Sequence, residues 1–541
     1  MKRITLLLVG LLSLPFFSYS GGIVTNQNQS ASYIRMFARD ASTDIDAVFF
    51  NPAGLTKLDD GFYLSLNYQY ISQNKVVTSD YMHLNGAPKD FEGKISVPIF
   101  PSVYAAYKTG KFVFSFAWSP IGGGGGATFD DGLPSFEVPV SDLVPSLAAQ
   151  GQPVTAYSLD AYFEGTSVYW GYQLGASYEI NDMFSIYVGG RYITAKNTYA
   201  GHLTDVNITY AGSEMAASDF FAGTAASLQP LNDGLGALVT GGAGAYTLDQ
   251  ALAFSVIDAA TYAQLAGGLS LVGIDPALVT IEQGYGGVNQ SYNGARRAAY
   301  VLADQEDVEV EQTGSGFTPI IGAHITPMEN LNIGIKYEFK TEIELENNTT
   351  TDFIIDYDPV NDVATGMFPD GQKNRADMPA MFTIGVDYKL NDKFNIAAGY
   401  HTYFDKNADY GRKVNGVHVD NDEVINRNLN EIALGFEYQA TDKLALSLGY
   451  LFTQTGVSED YQTDLSYSNH SNSIGLGGKY AVTPNIDANI GFGYTVYNDL
   501  RKVYTATDQL GNSFQTTESY DKDNLFIAFS LDFSLWGKKS E

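Results

Sequence analysis

The clearest periodicity in the chain lies near its C-terminal end. In residues 524–536, Leu525, Ile527, Phe529, Leu531, Phe533 and Leu535 fall on one face. Asn524, Ala528, Ser530, Asp532 and Ser534 take the other, with Phe526 the lone large apolar residue among them. A period of two is what a strand between two different solvents requires. The same dyad recurs upstream: Leu444, Leu446, Leu448, Tyr450 and Phe452 oppose Ala445, Ser447 and Gly449, and Leu331, Ile333, Ile335, Tyr337 and Phe339 oppose Asn332, Gly334, Lys336, Glu338 and Lys340. About fourteen such runs begin near residues 61, 98, 111, 167, 183, 314, 330, 379, 393, 428, 443, 470, 485 and 522. Many span roughly 10 to 14 residues, long for soluble strands and right for tilted membrane strands.

The connections alternate in length. Thr109-Gly110, Asn181-Asp182, Pro327-Met328-Glu329, Asn391-Asp392, Thr441-Asp442 and Thr483-Pro484 read as tight turns, and long loops separate them, the largest over about 119–166, 199–313 and 345–377. An even strand number, short turns on one side and long loops on the other predict an all-β fold: a 14-stranded antiparallel transmembrane β-barrel over 59–541, with both termini on the short-turn, periplasmic side. A soluble secreted β-sandwich or propeller also has many short strands, but it does not need an almost purely apolar face on every one. Tyr388, Tyr400, Tyr438, Tyr450, Tyr480 and Trp536 suit interfacial girdles. Within 199–313, Thr247 and Gln250 form a capping-box pattern ahead of an Ala/Leu-rich run to about Leu265. Asp275-Pro276 reads as an N-cap with proline at the first helical position, and Asn293 as the opening of a third helix carrying Arg296 and Arg297. The prediction is a partly helical extracellular crown whose apolar residues bury one another or a hydrophobic ligand.

Composition narrows the class. Lys2 and Arg3 precede an apolar run from Ile4 to Phe17, and Ser18 and Ser20 suit cleavage near Gly21, so residues 1–20 read as a signal peptide. No stretch reaches the length of a spanning helix. There is no cysteine, hence no disulfide framework. A formal net charge of -30 argues against nucleic acid.

Little of the candidate chemistry is catalytic. Gly122–Gly126 lacks the spacing and the Lys-Ser/Thr of a phosphate loop. With Pro120, these glycines read instead as a point where strand pairing ends early, leaving a break in the wall at Trp118, Ser119, Pro120 and Gly122. The Asp405–Gly411 stretch misplaces its glycine for a calcium loop. No two of the six histidines have metal-helix spacing, and no metal or cofactor is implied. His324, Thr318 and Ser315 face the lumen by register, yet nothing specifies a nucleophile with an orienting partner. The register also places Arg191, Lys336, Lys340 and Lys479 inside, with Glu338, Asp387, Glu431, Glu437, Asp487 and Asp532. These either pair with one another or hold an anionic headgroup, and Arg191 and Lys336, which flank the helical loop, are the candidate headgroup partners.

Ahead of the first strand lies Val48-Phe-Phe-Asn-Pro-Ala-Gly-Leu55, where Pro52 withholds an amide donor and biases Asn51 away from helix. The stretch 38–55 resembles the N-terminal signature of the FadL/TodX outer-membrane transporters, and the hairpins 379–403 and 432–452 resemble that family's repeated units. The resemblance implies a barrel with residues 21–58 folded inside as a hatch, its motif at Asn51, Pro52, Ala53 and Gly54. It further implies passive, ligand-gated uptake of long-chain fatty acids or similar hydrophobic molecules, with lateral release through a kinked third strand, here about 111–118 with its break at the outer end. A monomer is expected, with the ligand and outer-membrane lipid as its partners. A general or solute-selective porin and a barrel-embedded lipid hydrolase are the alternatives. The chain departs from many outer-membrane barrels in ending Gly-Lys-Lys-Ser-Glu rather than on an aromatic residue.

Overall fold

The computed structural model describes residues 30–414 and 417–536. The signal-peptide expectation for 1–20, the first residues of the expected hatch and the tail after Trp536 lie outside them. Fourteen antiparallel strands among the described residues close a barrel: β1 (Gly61–Ser79), β2 (Lys89–Thr109), β3 (Phe112–Phe129), β4 (Val154–Asn181), β5 (Phe184–Tyr210), β6 (Gln305–Met328), β7 (Leu331–Glu338, continued by Glu344–Thr351), β8 (Lys373–Arg375, continued by Met381–Asn391), β9 (Phe394–Tyr403), β10 (Leu429–Thr441), β11 (Leu444–Gln454), β12 (Ser471–Thr483), β13 (Ile486–Tyr497, continued by Leu500–Thr507) and β14 (Ser513–Leu535). Each pairs with its neighbour in sequence, and β14 returns to β1 from Phe62↔Leu535 to Ser79↔Glu518. Closure leaves no strand edge to satisfy in lipid. The dyad does its expected work: Leu448, Tyr450, Leu476, Phe492, Ile527 and Phe529 are exposed on the outer face, while Ala445, Ser473, Asn489 and Ser530 are buried toward the lumen.

Three expected loops are shorter than the sequence indicates. β3 pairs to Phe129 and β4 resumes at Val154, leaving 130–153 instead of 119–166. β5 runs to Tyr210 and β6 starts at Gln305, which narrows 199–313, and parts of 345–377 belong to β7 and β8. The cause is physical. Alternation reports lipid on one face, and these extensions rise past the hydrocarbon zone, where pairing needs no apolar face. β4, with 28 residues, far exceeds the roughly 9–11 that a membrane crossing needs.

The 130–153 connection carries α3 (Pro134–Ser141) and α4 (Leu143–Ala149), and the β5–β6 connection carries α5 (Ala217–Leu238), α6 (Leu248–Ala253), α7 (Ala259–Leu271) and α8 (Ile281–Val301). Thr247 and Gln250 do form a reciprocal capping box on α6. The run to Leu265 is broken, however, and Asp258 caps α7 separately. Asp275-Pro276 opens no helix; the Asp275 side chain accepts from the Ala277 amide in a turn. A stronger signal five residues on, the capping box of Thr280 with Gln283, starts α8, so Asn293 lies in mid-helix. Leu231, Leu235, Leu265, Leu269, Ile281 and Val288 bury one another.

Inside the barrel sits the N-terminal segment from Ser30 to Leu58, with α1 (Ala31–Ile34), α2 (Ala47–Phe50) and a 3-10 turn over Pro52–Lys57. Nearly all of it is buried. Glycines in the wall make room for it. A Cβ at Gly334 would lie 2.0 Å from the Asp40 carbonyl oxygen, at Gly475 2.0 Å from that of Ile34, and at Gly449 2.6 Å from the Met36 carbonyl carbon. Gly435, Gly449, Gly475 and Gly493 are successive register partners across β10 to β13, and Gly334, Gly385 and Gly399 continue the belt across β7 to β9. Gly475→Val should therefore destabilise the folded barrel by about 1–3 kcal/mol through overpacking, read by urea titration in detergent micelles. The lipid-facing Leu476→Ile should stay within about 0.5 kcal/mol.

Candidate functional site

The inner segment is latched by charge on several sides. Arg35 reaches Glu437 and Ser447. Asp40 accepts from His401 Nε2 at 2.9 and 3.0 Å, and His401 Nδ1 lies 2.9 Å from Glu431. Arg39 forks onto Asp46 at 2.6 and 2.9 Å, bracing the segment on itself. Hydrogen bonds to its backbone complete the seat: Gln173 Nε2 donates to the Val48 carbonyl at 2.8 Å and Ser177 Oγ to that of Pro52 at 2.7 Å.

On the long-loop side of this segment lies a cavity of about 480 Å³, within the range of about 300–1,000 Å³ typical of small-ligand sites. Tyr33 and Phe37 of the inner segment border it, with Ile71, Ile95, Phe129 and Phe526 from the wall. Lys75, Lys522, Glu431 and Asp464 bring polar groups. Asp464, in the β11–β12 connection, accepts from the Ser135 amide at 2.9 Å, and burial raises its carboxyl pKa.

One stretch of the wall is unpaired. The β2–β3 ladder runs from Thr109↔Phe112 to Val103↔Trp118 and resumes only at Ile95↔Ala127. Between those points, among the described residues, 96–102 keep register with β1 and 119–126 with β4, but the two stretches are not in register with each other. The reason is local. Pro98 and Pro101 on β2 and Pro120 on β3 cannot donate ladder hydrogen bonds. Gly123, at φ +83°, turns β3 so close to β4 that a Cβ would lie 2.1 Å from the Ser167 carbonyl oxygen. β3 holds to β4 through this stretch, with register shifts on both sides of Gly122. Ile95 and Ala127, at the long-loop margin, and Gly123, within the break, also line the cavity. The cavity thus borders the break.

The sequence matches the family model described as outer membrane protein transport protein (OMPP1/FadL/TodX) over residues 12–533. The chain belongs to the OMPP1/FadL/TodX family. Among solved structures, a Pseudomonas aeruginosa FadL homologue shares 12% identity at a TM-score of 0.55, covering 96% of this chain and 99% of that one. The Pseudomonas putida toluene transporter TodX shares 13% identity at a TM-score of 0.48, covering 94% and 99%. Comparison with curated protein sequences gives no match. The OMPP1/FadL/TodX assignment makes this an outer-membrane barrel of a transport family, one whose members carry hydrophobic molecules.

In this FadL-type barrel the expected residues separate into three groups. Asn51, Pro52, Ala53 and Gly54 are buried together near the tight-turn end of the lumen. Asn51, extended at φ -159°, ends α2 and donates to the Ala323 carbonyl at 2.9 Å; Ala53 packs on Tyr187 and Ile320; a Cβ at Gly54 would lie 2.2 Å from the Ser42 carbonyl oxygen. Trp118, Ser119, Pro120 and Gly122 lie along the tight-turn margin of the break. The strand does not stop there as expected: it continues to Phe129, so the break is mid-strand and not at an outer end. The other margin and the facing prolines, in Val97-Pro-Ile-Phe-Pro101, were missed, although two prolines inside one run could have flagged them.

Arg191 and Lys336 do come together, but around Glu338. Arg191 makes two hydrogen bonds to that carboxylate at 2.7 and 3.0 Å, and Lys336 a third at 2.7 Å. Phe49 covers both cations at 5.2 and 5.3 Å, and Lys336 also donates to its carbonyl. The void beside them is about 20 Å³, room for about one water and no headgroup. His324 lies beneath Gly54 and pairs with Asn332 at 3.0 Å, while Thr318 bonds Thr341, so the two do not meet. Among the described residues no group of three or more His, Cys, Asp or Glu side chains gathers as a metal site. Glu338→Gln should destabilise the barrel by about 3–5 kcal/mol, because it strands two buried cations. Urea unfolding in micelles checks this, and a near-neutral effect would show the cluster to be solvated.

Proposed function

We propose that the protein is a passive channel that takes long-chain fatty acids, or molecules of like shape, across the outer membrane. In this reading residues 21–58 are the hatch, and the ligand leaves sideways through the β2–β3 break. The observation that carries it is the continuity of the apolar cavity with that unpaired stretch of wall. An acyl chain gains about 0.8 kcal/mol for each methylene it buries, so a mostly apolar cavity binds it with few polar contacts. A water-filled pore offers no such gain. Lateral exit spares the chain a second passage through water. The hatch blocks the lumen toward the tight turns, and gating needs only that ligand favour one of its positions over another. Both termini face the periplasm and the barrel acts as a monomer.

Ala127→Trp fills the margin between cavity and break. It should lower uptake of radiolabelled oleate at least tenfold in cells that depend on this channel, with the barrel still folded by its heat-modifiable migration in gels. Undiminished uptake would remove the lateral route. The hatch has its own test in planar bilayers. Pro52→Ala, which loosens the turn seated on Ser177, should raise small-ion conductance, and an unchanged trace would count against a plug. A wild-type barrel that is constantly open would instead favour a porin.

A further inference from the structure

Arg191 and Lys336 are engaged by Glu338 and covered by Phe49, whereas the cations that line the cavity are Lys75 and Lys522. Lys75 on β1 and Lys522 on β14 are register partners across the seam that closes the barrel. Both stand on the lumen parity, in line with the facing pairs Ile71↔Phe526 and Gln73↔Asn524, and both line the cavity. Among the described residues neither ammonium makes an ion pair or a hydrogen bond. Each lies instead over the Tyr467 ring, at 5.5 and 5.1 Å, and Lys522 lies also over Tyr497 at 4.3 Å.

The nearby acids are directed elsewhere. Asp521 and Asp523 occupy the opposite parity of β14, and Asp523 is taken by Asn74 at 3.2 Å and Tyr494 at 3.3 Å. Glu431 is held by His401, Tyr403 and Thr453. Asp464 accepts backbone amides from Ser135 and Leu465. Two like charges placed directly opposite in a sheet repel each other, and a half-buried charge without a partner adds to the penalty. The chain keeps this pair on a cavity that Phe37, Ile71, Ile95 and Phe526 also line.

We propose that Lys75 and Lys522 form an anion-binding end of the cavity, which holds the carboxylate of a long-chain acid while its tail lies along Ile71, Phe526 and Ile95 toward the β2–β3 break. This rests on reading the cavity as the ligand's passage. A carboxylate offers two oxygens and each ammonium three donors, so one oxygen can meet each lysine while Tyr467 and Tyr497 stack against the cations. A hydrocarbon of equal length gains nothing from the pair and an alcohol only a hydrogen bond without the opposite charge, so the site selects acids.

The test compares oleate with oleyl alcohol, titrated near neutral pH into protein in dodecyl maltoside and followed by calorimetry. Wild-type protein should bind oleate at least tenfold more tightly than the alcohol. Lys75→Gln/Lys522→Gln should bring the two to equal affinity, and Lys75→Arg/Lys522→Arg should keep the preference. Equal binding of both ligands by wild type, weakened by Ala127→Trp, would overturn the anion site and leave the channel reading standing. Binding of neither ligand would sink that reading itself. A preference that persists in the glutamine variant would place the carboxylate away from these lysines. Should that variant fail to fold, the wild-type comparison and Lys522→Gln alone decide the same point.

Discussion

Everything else in the molecule depends on fitting a polypeptide segment inside a closed sheet. A lumen walled by ordinary side chains would hold no second chain, so the wall gives up its side chains where the segment passes. Gly334, Gly385 and Gly399 accept Asp40, Gly435 and Gly449 accept Met36, and Gly475 accepts Ile34. Backbone then lies against backbone, and close packing supplies many small dispersion contacts. Buried polar groups of the segment still need partners. The wall provides them through Glu437, His401, Ser177 and Gln173. The glycine belt and the polar latches are two halves of one requirement.

The same constraint shapes the cavity. The segment fills the lumen toward the tight turns, and what remains lies between its upper surface, bearing Tyr33 and Phe37, and the looped crown. Such a cavity in an otherwise complete barrel would be reachable only through the crown. The β2–β3 break borders it instead on the side of the wall. Three prolines withhold donors on the facing stretches, and Gly123 ties β3 to β4 rather than to β2. Absent ladder bonds in a lipid-facing wall are expensive, and they fall beside the cavity.

The strand number and the tight turns were readable from alternation because lipid imposes it: Leu525 to Leu535 could hardly be anything else. The upper halves of β4, β5 and β6 were not, since water on both faces removes the period. Helix starts were legible where the capping chemistry was reciprocal, as at Thr247, and misread where an N-cap and a proline stood without a reciprocal partner, as at Asp275-Pro276. Asn51 to Gly54 announced an interrupted strand before any barrel was visible. Arg191 and Lys336 were correctly drawn to one place by register. Their shared carboxylate, Glu338, stands two residues from Lys336 on the same face and was visible as well. What the sequence could not convey was that Phe49 closes over them, a contact between segments 287 residues apart.

A carboxylate between two cations converts them from a binding site into a joint. Arg191, Lys336 and Glu338 are fixed by each other and by Phe49, so they report the seating of the inner segment. Lys75 and Lys522 have the opposite character: their register forces them together, and only aromatic faces attend them. In a chain with a formal net charge of -30, acids are abundant enough that a cation pair could easily have been given one. The acids of β14 nearest in sequence, Asp521 and Asp523, fall on the other face because a strand alternates. Whether a lumen lysine serves the fold or a ligand therefore turns on parity. On β7, Glu338 stands two residues from Lys336 on the same face; on β14, the same-face neighbours of Lys522 are Tyr520 and Asn524, and Glu518 beyond them is held by Tyr504 and Tyr520.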